Sequence, residues 1–216
     1  MFQYANNLDT VIFEDWENVP SSCWDTWLSN GMLNSLTNDF LRIGNFVFNY
    51  KGTVPNNIAI FPEGVVGVSS YAVYSASNKA NIKAFVFPST VTKICDDAAS
   101  GCVSLDSVVC LATVPPTIHS TAFYSATGAA NDRRSYATLY VPWSADHSVL
   151  AAYEADAEWS KFSSIVELPA PTPTVVEQVT MDQPKTQKVM VDGVVYIIRG
   201  DKVYNLQGIE CELPMK

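Results

Sequence analysis

The chain has 216 residues, 13 basic and 22 acidic, giving a net charge of −9 with no cluster of Lys and Arg. That balance excludes charge-driven docking on nucleic-acid phosphates or on an anionic membrane, because both need cations on the protein. Hydrophobic residues make up 48%, enough for a sizeable core, and the low 16% of charged residues points with the many Val, Ser, Thr, Tyr and Phe to a strand-rich fold.

The first segment, MFQYANNLDTVIFEDW, lacks the basic region, long apolar run and cleavage site of a secretory signal. It contains LDTVIF (8–13), a Leu/Ile-x-x-apolar-x-apolar pattern that recurs as IKAFVF (82–87) and LDSVVC (105–110). Phe2 to Phe13 therefore reads as the second half of a repeat without its first half, and the chain is expected to be part of a longer protein. Residues 14–39 break the period and are expected to be an irregular insertion or a degenerate repeat. DFLRIGNFVFNYKGTVPNNIAIF then predicts two strands joined through Lys51-Gly52.

IFPEGVVGVSSYAVY (60–74), VFPSTVTKICDDAAS (86–100) and VPPTIHSTAFY (114–124) align with one another. Pro62 falls on Pro88, Val68 on Ile94 and Ile118, and Ala72 on Ala98 and Ala122. The period is 23–26 residues, with SASN as a short insertion after Tyr74. A unit this small cannot bury its own apolar face, so successive units must stack and share a core. AFVF and SVVC are expected as short parallel strands, and the Ala-centred stretches as tight turns or short helices on the opposite wall.

Val149, Tyr153 and Ala157, with Leu150 beside them, form one apolar stripe and predict a helix over 147–158 that closes the stack. LPAPTPT opens a Pro/Thr-rich linker over 169–187. In 188–216, short β-rich runs separated by Asp192-Gly193, Gly200-Asp201 and Gln207-Gly208 predict a small β-meander. No stretch approaches the ~20 apolar residues of a membrane helix.

FPSTVTKICDDAASGCVSLDSVVCLATVPPTI, preceded by FPEGVVGVSSYAVY, resembles the BspA-like leucine-rich repeats of bacterial surface proteins. ATLYVPWSADHSVLAAYEADAEWSKFSSIVEL (137–168) resembles the closing segment of that family. The resemblance covers residues 58–168 and, more loosely, 1–57. It implies a mainly β fold with short helical turns: a right-handed leucine-rich-repeat solenoid over 1–168, capped by a helix within 137–168. It also implies a non-enzymatic, adhesion-like protein, secreted or at the cell surface, with host proteins, matrix components or other bacteria as partners and no cofactor. The tail resembles a C-terminal module of secreted proteins from the same bacterial group, where some such modules act as secretion signals or surface anchors.

Candidate site residues follow from the strand pattern. Every second side chain of a strand faces outward, which nominates Lys83 and Ala84 from IKAFVF, and Asp106, Ser107 and Val109 from LDSVVC, as partner-binding residues. Trp16, Trp24 and Trp27, near Glu14, Asp15 and Glu17, form a second candidate, a loop for a glycan or another partner. Their carboxylate spacing does not supply the two carboxyls fixed across a cleft that glycoside hydrolysis needs. The alternatives are that the tryptophans fold the segment onto the stack, and that the whole chain is a structural spacer.

Five cysteines cannot all pair within one chain. Cys102 and Cys110 fall on buried repeat positions, where a thiol acts as a small hydrophobe. Cys95 stacks in a column with Ser69 and His119, the one place where a nucleophile and a base could meet. The spacings of Cys95, Cys102 and Cys110 match no zinc pattern. His147 reads as a surface residue. No phosphate-binding, dinucleotide-binding, zinc-protease or nucleophile-elbow motif is present.

Overall fold

The computed structural model describes residues 33, 35–171, 186–191, 194–199, 202–204 and 209–211. The chain divides into two compact units, Met1–Pro171 and Thr172–Lys216. LDTVIF, most of the segment 14–39 and residues 172–185 of the expected linker lie outside the described residues.

The first unit contains β1 (Asp39–Ile43), β2 (Phe46–Lys51), β3 (Ile58–Ile60), β4 (Gly67–Val68), β5 (Ala84–Phe87), β6 (Lys93–Ile94), β7 (Ser107–Cys110), β8 (Thr117–Ile118), β9 (Thr138–Val141), the helix α1 (Ser148–Ala155) and β10 (Ser164–Glu167). These strands pair into two five-stranded sheets, ordered β1-β2-β4-β6-β8 and β10-β9-β7-β5-β3. The second sheet is parallel throughout. In the first, β2, β4, β6 and β8 run parallel while β1 pairs antiparallel with β2.

This corrects the expected fold class. A leucine-rich-repeat solenoid carries its parallel sheet on one wall and helices or turns on the other. Here the columns through Val68, Ile94 and Ile118 pair into a second sheet, which opens with an antiparallel hairpin. The unit is an α/β fold of two mostly parallel sheets with one α-helix among its described residues. Side-chain periodicity alone does not say whether a short apolar column ends as turn or as strand.

The segment expected as two strands joined through Lys51-Gly52 forms three, because β1 and β2 make a hairpin of their own. Gly44, at φ +54°, begins the two-residue connection between the paired Ile43 and Phe46, a left-handed position that suits the twist of the flanking strands. Gly52 follows the end of β2 instead. Gly67 is needed for close approach: a Cβ there would lie 2.1 Å from the Phe46 ring.

Alternation on the short strands builds the core. Phe85 and Phe87 on β5, Val108 and Cys110 on β7, and Leu139 and Val141 on β9 are all fully buried. Phe61 and Phe87 stack with centroids 4.7 Å apart, and burying each such ring contributes roughly 1.5–3 kcal/mol. Ala72, Ala98 and Ala122 sit at tight turns with no exposure, where successive units are joined by Ala99 N–H donating to Ala122 O at 3.0 Å.

The helix is shorter than the expected 147–158. Val149 and Tyr153 face the core, but Ala157 is exposed, because Asp156 leaves the helical conformation at φ −74°, ψ 133°. The Asp156 carboxylate then accepts the backbone N–H groups of Glu158 and Trp159. Tyr153 donates to Ala112 O at 2.9 Å, and Trp159, fully buried, donates its indole N–H to Pro116 O at 2.7 Å. A polar node secures the same end. Arg134, 1% exposed, donates to the Asp132 carboxylate, to Ser120 O at 2.6 Å and to Glu158 Oε2 at 2.8 Å.

Among its described residues the second unit holds one antiparallel sheet ordered β11-β12-β13, from β11 (Thr186–Val191), β12 (Val194–Arg199) and β13 (Lys202–Tyr204). Val191 faces Val194, and Arg199 faces Lys202.

Candidate binding face

The parallel sheet of the first unit offers its outward side as a surface. Its register pairs Ile60 with Val86, Val86 with Val109, Val109 with Tyr140, and Tyr140 with Val166. One apolar row therefore crosses all five strands, spanning about 19 Å at ~4.8 Å per strand. The neighbouring outward row runs Ile58, Ala84, Ser107, Thr138 and Ser164. Neither row contains a charged side chain. The row is open at its ends, where Ile60 is 64% and Val166 is 41% exposed, and half-buried along its middle.

The predicted residues divide around this face. Ser107 and Val109 lie on it, as does Ala84. Lys83 and Asp106 are exposed but precede β5 and β7, at the entry edge of the sheet. Their backbone is tied into the ladder: Lys83 N–H donates to Asn57 O at 2.9 Å, and Lys83 O accepts the N–H of Asp106 at 3.0 Å. Ser107 Oγ donates to Asp106 Oδ1 at 3.2 Å. Trp16, Trp24 and Trp27 lie outside the described residues.

Ile58, Ile60, Val86, Tyr140 and Val166 were not nominated from the sequence. Val86 was legible as the next outward position of IKAFVF. Tyr140 was hidden because the step from β7 to β9 runs from Ser107 to Thr138, longer than the repeat, with exposed residues 126–130 between.

The Ser69–Cys95–His119 column exists in the backbone, where Cys95 N–H donates to Val68 O and His119 N–H to Ile94 O. Its side chains do not share an accessible site. Ser69 is buried and donates to Phe48 O, and Cys95 is 2% exposed. His119 is exposed, with Nδ1 3.0 Å from Thr121 Oγ1. A nucleophile must reach its substrate, and this thiol is enclosed.

Cys102 and Cys110 are buried and free. Burial pushes the Cys102 thiol up to about 12. It pushes Cys110 up to about 11, partly offset by hydrogen bonding with the Tyr153 hydroxyl, whose oxygen lies 3.1 Å from its Sγ, and with the Ala112 backbone. Both are neutral packing groups, since the thiolate is the reactive form. His147, at the start of α1, has a side chain 67% exposed, and its Nδ1 lies 2.5 Å from Glu167 Oε2. Among the described residues no three His, Cys, Asp or Glu side chains are grouped to hold a metal ion. None of the described helices is long and apolar enough to cross a membrane. No protein-family model, no curated protein and no solved structure matches this chain.

Proposed function

We propose that the Met1–Pro171 unit is a non-enzymatic protein-binding module that recognises its partner with the outward face of β3, β5, β7, β9 and β10. The observation that carries this reading is the absence of charge from both outward rows in a chain of net charge −9. Depletion of charge with retained apolar and aromatic groups marks the buried centre of protein interfaces, and Tyr140 is the kind of residue that anchors one. Lys83 and Asp106 at the entry edge supply a polar rim. An adhesion-like role at the cell surface or outside the cell accompanies this reading through the resemblance to BspA-like surface proteins.

The test is site-specific photo-cross-linking in the cells that make the protein. A photoreactive side chain replacing Val109 should give a discrete adduct with a second protein, while the same group replacing Thr117, exposed on the other sheet, should give none. Equal labelling from both positions, or no adduct from Val109, would overturn the proposal.

A further inference from the structure

We draw no further inference here: the strongest candidate, the outer edge of β3 with the cavity of about 260 Å³ beside Ala59, is an apolar opening for which nothing among the described residues shows what covers it.

Discussion

Replacing Arg134 by alanine tests how the helical end of the first unit is held. The guanidinium is 1% exposed and spans three segments, reaching Asp132, Ser120 and Glu158 at once. Its removal leaves the Asp132 carboxylate, 11% exposed, without its cation and Ser120 O without its donor at 2.6 Å. Deleting one member of a buried pair costs about 3–5 kcal/mol, most of it the uncompensated charge. Glu158 adds little to that sum, because it is 27% exposed and keeps Lys161 as a partner at 2.7 Å. Urea unfolding followed by near-UV circular dichroism should show a midpoint lowered by about 2 M at a slope of ~2 kcal/mol/M. Arg134→Lys should lose less, because it keeps the charge, yet one ammonium cannot reproduce the planar fork. A loss below about 1 kcal/mol in Arg134→Ala would refute the reasoning.

The same node predicts acid sensitivity. Hydrogen bonding by Lys161, and next by Arg134, holds the Glu158 carboxyl below its ordinary value. A depressed carboxyl contributes stability above its unfolded value and loses it as pH falls through the folded one, so Arg134→Ala should flatten stability against pH on the acid side; an unchanged slope would count against the coupling. Gly67→Ala should destabilise by about 1–3 kcal/mol, since the new methyl meets the Phe46 ring and the core must shift; thermal unfolding at the wild-type midpoint would contradict this. Alkylation at pH 8 should leave Cys102 and Cys110 unmodified in the native protein and label both in urea, and mass spectrometry showing rapid native labelling of either would refute their burial. Val109→Glu should lower stability by about 1 kcal/mol, because a half-buried central-strand position loses its β-branched side chain, and it should abolish the adduct formed from a photoreactive group at Val86 while the protein stays folded; an undiminished adduct would remove Val109 from the interface.

The sequence by itself determined where apolar residues recur and hence which units stand side by side. Val68 pairs with Ile94 and Ile94 with Ile118, and IKAFVF lies against LDSVVC in the register their alignment implies. Stacking was forced because no unit of this length can bury its own apolar side chains. Period-two alternation likewise placed Ser107 and Val109 outward and Cys110 inward, and the repeat placed Cys102 at a buried position.

Tertiary structure decided the rest. Backbone pairing turned the Val68–Ile94–Ile118 column into a second sheet, and a hydrogen-bonding choice of that kind leaves no mark on side-chain period. The outward face became visible only once register joined β3, β9 and β10 to the repeat strands, because Ile60, Tyr140 and Val166 are far apart in sequence. Arg134 gave no signal either: the run Asp132-Arg133-Arg134 looks like surface charge until folding removes the water from Arg134 and brings Ser120 and Glu158 to it. Local pattern governs which face of a strand is apolar, whereas burial of a polar group and the continuity of a surface depend on neighbours that only the folded chain supplies.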